Sequence, residues 1–263
     1  MLALALLALV PVVMWTTQSV LLRRAGLPLR AKISSQDLPR RLKRVNRGMT
    51  NGAFVAVLIA YPLLRGQSPL SYYARLFPLG DRPSEMLHGV TLSVLYLGLL
   101  YLAWILTDNV RVRARSEGTR LIRRLAGVPL TALFGALTEE LLFRAMLLAD
   151  LLESFSPLGA VTIGSVIFAG AHYVRSVKRY WTVLGHAGLG LTLCVAFVLT
   201  EALWLSIGLH AGGTLILMGV RPFVRYRGPK WLVGASVFPY AGGLGLVGLG
   251  LLTINLVLVY GGA

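Results

Sequence analysis

Runs of about 20 apolar residues recur along the whole chain, and each run is bounded by charged residues. An α-helix of that length spans the hydrocarbon core of a lipid bilayer. Only 14% of the 263 residues are charged, whereas a soluble domain carries about 25%. We therefore predict an all-α, polytopic bundle of about eight transmembrane helices. The predicted spans are residues 2–22, 49–65, 86–107, 129–152, 157–175, 183–201, 203–220 and 232–260.

The basic residues predict how these helices are oriented. Segments 23–48, 108–124, 175–182 and 221–231 hold 22 of the 26 Lys and Arg residues. Basic residues collect in cytoplasmic loops, so these four segments are expected inside and both chain termini outside. The formal net charge of +16 is then explained by orientation and by contact with anionic membrane lipids, and nucleic-acid binding is not predicted.

Residue usage predicts where such a protein resides and how it is organised. Arg outnumbers Lys by 22 to 4, which is typical of GC-rich bacterial genomes, so we expect a multi-pass protein of the bacterial plasma (inner) membrane. The single Cys194 excludes an internal disulfide framework and a cysteine-based metal site. No internal repeat is visible, and residues 1–263 are therefore treated as one integral membrane domain.

Two of the inside segments have the character of helices rather than loops. The stretches LPRRLKRVNR and GTRLIRRLAG mix Leu, Ile and Val with Arg at spacings that suit amphipathic helices on the cytoplasmic face. A simpler interpretation is that they are orientation signals in contact with lipid head groups.

The stretch TEELLFRAML places three charged residues, Glu139, Glu140 and Arg144, inside an apolar span. Charges at that depth are costly unless they face the bundle interior and are paired. Glu140 and Arg144 are four residues apart and share a helix face, with the acid N-terminal to the base, which favours an ion pair. Glu139 is rotated away by about 100° and lacks that counter-ion. Glu139 is therefore the candidate for chemistry.

Two histidines in other apolar spans, His172 and His210, could act with Glu139. A glutamate in an apolar cavity can take a proton from water and return it to a leaving group. Nearby imidazoles can hydrogen-bond a developing oxyanion or hold the water. The same three side chains could instead ligate zinc, or form a buried ion network that only joins helices. No H-E-x-x-H helix is present, so no cofactor is favoured and zinc is kept as the alternative.

Straight helices would place these three side chains at different depths in the bilayer. Glu139 lies near the middle of its span, His172 nearer the inside and His210 nearer the outside. A rise of 1.5 Å per residue keeps them apart unless a helix tilts or kinks. Pro129 and Pro157 mark places where the helices could adjust.

The sequence resembles the CPBP family of intramembrane proteases over about residues 125–220. The stretches EELLFR, FAGAH and LWLSIGLHAGGT are similar, in order and spacing, to the three motifs of that family. The pattern is Glu-Glu-x-x-x-Arg, then Phe-x-x-x-His, then His-x-x-x-Asn or Asp. The family includes type II CAAX prenyl endopeptidases, bacteriocin-processing and self-immunity proteins, and proteases that sort bacterial surface proteins.

The resemblance implies an eight-helix membrane endopeptidase of the glutamic type, with residues 125–220 as its catalytic core. By this resemblance Glu139 activates water, and His172 and His210 stabilise the tetrahedral intermediate. Glu140 and Arg144 brace the helix. Phe168 begins the second motif, and Thr214 stands where the family usually has Asn or Asp.

Three functions remain open on the sequence. The first is hydrolysis of a peptide bond in a membrane-anchored or lipidated substrate, such as a lipidated tail, a C-terminal sorting signal or a leader peptide. The second is a non-catalytic membrane binder, immunity factor or scaffold that keeps the protease fold, which Thr214 favours. The third is a proton-coupled transporter, which the lack of paired halves disfavours.

Overall fold

The structure is a computed structural model that describes residues 1–29, 38–80, 82–113, 118–174, 182–234 and 238–262. Within these ranges the chain is overwhelmingly helical, and the predicted helical, polytopic fold class is confirmed. The described residues also form two short strands, β1 (Val110–Val112) and β2 (Val224–Tyr226), which pair antiparallel with Val110 opposite Tyr226.

The described residues form twelve α-helices, several of which coincide with the predicted spans. In chain order they are α1 (Leu2–Arg24), α2 (Arg40–Leu64), α3 (Pro69–Ala74), α4 (Ser84–Leu106), α5 (Thr119–Ala126), α6 (Val128–Glu140), α7 (Ala149–Leu152), α8 (Pro157–Ala171), α9 (Val183–Thr200), α10 (Trp204–Val220), α11 (Lys230–Val233) and α12 (Gly243–Tyr260).

Five of the described helices are long and apolar enough to cross a membrane, namely α1, α2, α4, α9 and α12. Helix α8 is apolar but shorter, and α10 has 17 residues. Each of the eight predicted spans contains a helix, while the exact number of crossings stays a prediction. The apolar side chains that these helices leave on the outside of the bundle suit contact with lipid tails.

The fourth predicted span is one helical rod with a π-helical middle. Helix α6 runs without a break into a π segment, Leu141–Leu148, and then into α7. In a π segment the backbone hydrogen bonds connect residues five apart, and such segments occur frequently at functional sites. Residues 142–148 are all buried, so the rod lies in the centre of the bundle. The π segment begins directly after Glu140.

Glycine allows two helices to approach closely near this rod. Gly208 on α10 faces the backbone of Met86 on α4, and a Cβ built there would lie 2.2 Å from the Met86 carbonyl oxygen. Gly89 on α4 is also tight against α10, since a Cβ there would lie 2.6 Å from the Leu205 carbonyl oxygen. Small residues at such crossings let helix backbones touch, which is the main means of packing inside a membrane. The contact holds α10 against the centre of the bundle.

The last predicted span, 232–260, is not a single helix. Helix α11 ends at Val233, a 3-10 turn covers Pro239–Ala241, and α12 begins at Gly243. Gly234 has a φ of +70°, which an L side chain rarely adopts, and Pro239 cannot donate a backbone hydrogen bond. These two residues explain the interruption, which brings a turn into the bundle where an uninterrupted helix was expected.

The two basic stretches differ from each other in the structure. Helix α5 covers most of GTRLIRRLAG as a short separate helix. LPRRLKRVNR instead starts helix α2, which continues into the second apolar span. The residues just before that stretch, 30–37, lie outside the described part of the chain.

Candidate active site

The buried ion pair of the central rod is formed by Glu140 and Arg144. Neither side chain is exposed, and Arg144 Nη1 donates to Glu140 Oε1 over 3.2 Å. Arg144 Nη2 also donates to the Gly190 carbonyl of α9 over 3.3 Å, and the guanidinium carbon lies 4.5 Å from the Phe168 ring centroid. A cation above an aromatic face is attracted to it. Arg144 therefore ties the rod to α8 and α9.

His210 on α10 connects the two glutamates. Its Nδ1 lies 2.7 Å from Glu140 Oε1, and its Nε2 lies 3.7 Å from Glu139 Oε2. The Glu140 carboxylate, already paired with Arg144, can only accept, so Nδ1 carries the proton of this hydrogen bond. In the neutral ring, Nε2 therefore presents a lone pair towards Glu139.

His172 stands at the end of α8 and has a similar arrangement. Its Nδ1 lies 2.9 Å from the Phe168 carbonyl oxygen, which can only accept, so Nδ1 is again the donor. Its Nε2 lies 3.7 Å from Glu139 Oε2. The His172 ring packs against the Phe168 ring, with the centroids 4.7 Å apart. Phe168 is fully buried and holds both His172 and Arg144.

The structure thus brings Glu139, His172 and His210 together, although straight helices would have separated them in depth. The two distances of 3.7 Å are too long for direct hydrogen bonds. Polar groups that face one another beyond hydrogen-bond distance can be joined by a shared water. Glu139 Oε2 has no hydrogen-bond partner in the described structure. The arrangement suits a water held between one carboxylate and two imidazoles.

This triad faces a cavity of about 220 Å³ inside the bundle. Glu139 is 37% exposed, whereas the neighbouring Glu140 is sealed. Thr214 lines the same cavity, one helical turn after His210. The other lining residues are mostly apolar and come from α4, α9, α10, α12 and the turn before α12; they include Tyr96, Leu97, Leu189, Leu193, Leu217, Met218, Phe238, Tyr240, Leu249 and Leu252.

Two residues with no predicted role lie beside this site. The ring centroid of His186 is 4.5 Å from that of His172 and 4.6 Å from that of Phe238. His186 Nδ1 donates to the Thr182 carbonyl over 3.0 Å. Tyr240 belongs to the turn before α12 and lines the cavity. The sequence contains no signal for Tyr240, because the turn was expected to be part of a helix, and the contact of His186 with His172 depends on how two separate helices pack.

The triad is also the set of side chains that could hold a metal. Glutamate and two imidazoles suit zinc, and both Nδ1–H groups are held by acceptors, as is usual for ligating histidines. In the described ranges, however, no group of three or more His, Cys, Asp and Glu residues has the arrangement of a metal site. Zinc thus stays the alternative that the sequence left open.

Comparison with known proteins identifies the region that carries the site. Residues 122–216 match the family model described as type II CAAX prenyl endopeptidase Rce1-like. No curated protein and no solved structure matches the chain. The match confirms the resemblance to the CPBP and CAAX proteases over this region. It contains all of the motif residues, namely Glu139, Glu140, Arg144, Phe168, His172, His210 and Thr214.

Proposed function

Because residues 122–216 match the model of a protease family, we propose that this protein is an intramembrane endopeptidase of the glutamic type. The observation that carries the proposal is the position of Glu139 in the cavity, 3.7 Å from the Nε2 atoms of both His172 and His210. A carboxylate without a counter-ion of its own, next to two imidazoles and open to a cavity, is equipped to activate water.

Hydrolysis needs two proton transfers, and Glu139 can perform both. It takes a proton from the bound water while the water oxygen attacks the carbonyl carbon of the scissile peptide bond. The carbonyl π electrons move to oxygen, which becomes an oxyanion. When the oxyanion re-forms the carbonyl, the C–N bond breaks and the departing nitrogen takes the proton from Glu139. The products are a carboxylic acid and an amine.

The two histidines orient the water and stabilise the intermediate in this proposal. A neutral His172, with its Nδ1–H on the Phe168 carbonyl, accepts a hydrogen bond from the water at Nε2. His210 lies between two carboxylates. A second proton on its Nε2 would balance the charge of Glu139 and let His210 donate to the oxyanion.

Glu140 and Arg144 support the site without facing the cavity. Both are fully buried and paired, and Glu140 fixes the His210 ring through Nδ1. A carboxylate that fixes the tautomer and orientation of a functional histidine is a common arrangement in hydrolases. The role of these two residues is therefore positioning.

The substrate in this proposal is already in the membrane. The cavity wall is mainly apolar, which suits a lipidated tail, a C-terminal sorting signal or a leader peptide more than a soluble polar chain. Membrane lipids surround the bundle, and only water has to reach Glu139 from outside. Catalysis through Glu139 alone requires no metal.

The test compares membranes that contain the wild-type chain with membranes that contain Glu139→Gln, and maps protein termini by mass spectrometry. Gln keeps the size of the side chain and removes the base, so cleavage is expected to fall by about 10²–10⁴-fold. Glu201→Gln changes an exposed glutamate in the turn between α9 and α10 and serves as the control. Membrane abundance of each variant is measured in parallel.

Specific termini that disappear only in Glu139→Gln support the proposal and identify the substrate. Identical termini in all three samples, at equal abundance, would contradict it. The binder or scaffold function, which Thr214 favours because threonine lacks an amide donor, would then take its place.

A further inference from the structure

Apart from a doubly protonated His210, the groups around Glu139 in the cavity offer hydrogen-bond acceptors. His172 and His210 both use their Nδ1–H groups on acceptors outside the cavity, so a neutral ring offers only a lone pair at Nε2. Glu139 is an acceptor as well. An oxyanion needs donors at about 2.7–3.1 Å. The neutral groups of the cavity wall that can donate a hydrogen bond to an oxyanion are therefore hydroxyl groups.

Tyr240 carries such a hydroxyl into the same cavity. Its ring is 6% exposed and packs edge-on against His186 and Phe238, with centroids 5.7 Å and 6.0 Å away. Gly245 packs directly on its backbone, since a Cβ there would lie 2.6 Å from Tyr240 Cα. Packing on several sides fixes the direction of the ring. Tyr240 is thus held rigidly before any substrate binds.

The Tyr240 hydroxyl is unpaired within the described residues. No hydrogen-bond partner of this hydroxyl occurs in the described part of the chain, although buried tyrosine hydroxyls usually have one. Tyr96 lines the same cavity, and its hydroxyl donates to the Gly245 carbonyl over 2.8 Å. Tyr240 and Glu139 line the same cavity. Among the described residues, the Tyr240 hydroxyl is an unpaired donor in the cavity that contains the candidate base.

We infer that Tyr240 is a further catalytic residue, whose hydroxyl donates a hydrogen bond to the oxyanion, together with the hydroxyl of Thr214. The inference rests on the proposed function and adds to it. Thr214 can supply one hydroxyl donor from α10, and Tyr240 supplies a second from the turn before α12. The phenol keeps its proton throughout, so the proton balance of the reaction is unchanged.

Tyr240→Phe tests the inference because it keeps the ring and removes only the hydroxyl. The comparison of wild type with Glu139→Gln identifies a cleavage site, and the probe is a synthetic peptide that spans this site. Cleavage of the peptide is measured with the full-length protein in membranes. Loss of one oxyanion donor is expected to lower kcat by about 10²-fold, with KM nearly unchanged. The control is Tyr101→Phe, which removes a buried hydroxyl that bonds to Tyr226, away from the cavity, and keeps activity near wild type.

A second variant separates a lost donor from a disturbed fold. Thr214→Asn places an amide donor in the same cavity, so adding it to Tyr240→Phe is expected to recover at least part of the lost kcat. A Tyr240→Phe protein with normal kcat at normal abundance would overturn the inference, and so would a change confined to KM. If Glu139→Gln still abolishes cleavage in that case, the proposed function stands. If Glu139→Gln has no effect, both fail.

Discussion

At the scale of single residues, the two adjacent glutamates differ in burial and in their partners. Glu140 is sealed and bonded to Arg144 and His210, whereas Glu139 faces a cavity. The difference follows from the rotation of about 100° between successive helical residues. A buried carboxylate with two partners holds structure, and a carboxylate exposed to a cavity without a cation of its own is available for proton transfer.

The buried ion pair leads to a prediction about stability. Arg144→Met leaves Glu140 in a sealed site without its guanidinium partner, and removing one member of a buried pair costs about 3–5 kcal/mol. We expect a large drop in the unfolding midpoint of the purified protein in detergent. The double variant Glu140→Gln with Arg144→Met removes both charges and is expected to regain part of that stability. A single variant as stable as wild type would show that the pair contributes nothing.

The roles of Glu139, His172 and His210 lead to a prediction about whether activity depends on a metal. With Glu139 as the base, activity on the identified peptide is expected to survive incubation with a zinc chelator such as 1,10-phenanthroline. A non-chelating isomer of the reagent is the control. Loss of activity with the chelator, and its return on addition of zinc, would assign Glu139, His172 and His210 as metal ligands.

At the scale of elements, the site is assembled by three helices and a turn that are held by close contacts. The π segment starts directly after Glu140, α10 carries His210, and His172 directly follows the last residue of α8. Glycine at the crossing of α4 with α10 lets His210 reach the centre of the bundle. The turn before α12 closes the cavity with Phe238 and Tyr240.

The close crossing of α4 with α10 can be tested by two glycine substitutions, one at the crossing and one away from it. Gly208→Ala puts a methyl group 2.2 Å from the Met86 carbonyl oxygen, so the two helices must separate. Overpacking of this kind costs about 1–3 kcal/mol, and displacement of His210 is expected to reduce activity as well. Gly98→Ala on α4 meets open space and is expected to be neutral or slightly stabilising. Thermal unfolding in detergent measures both, and equal midpoints would contradict the tight crossing.

At the scale of the whole molecule, two of the predicted inside segments lie together. β1 follows α4, β2 follows α10, and the two strands pair. Arg227 donates to Asp108 across this pair, and the hydrogen bond from Arg111 holds the pKa of Asp108 below its usual range. Helices α4 and α10 therefore end on the same side of the bundle, which agrees with placing segments 108–124 and 221–231 in one compartment.

Labelling from outside tests the predicted orientation. The one native cysteine, Cys194, is buried, so it gives little background. A cysteine at the exposed position Leu79 is expected to react with a membrane-impermeant maleimide on intact cells. A cysteine at exposed Lys230 is expected to react only after the membrane is permeabilised. The reverse pattern would invert the topology and place both termini inside.

The sequence was sufficient for the apolar helices and for the buried pair of Glu140 with Arg144, because both depend on local spacing. Apolar length predicts helices in a bilayer, and a separation of four residues predicts the pair of Glu140 with Arg144. Long-range contacts determined the rest. The convergence of His172 and His210 on Glu139, the interrupted last span, and the positions of His186 and Tyr240 depend on how helices cross. Helix crossings depend on packing between residues far apart in the chain, and no local pattern encodes them.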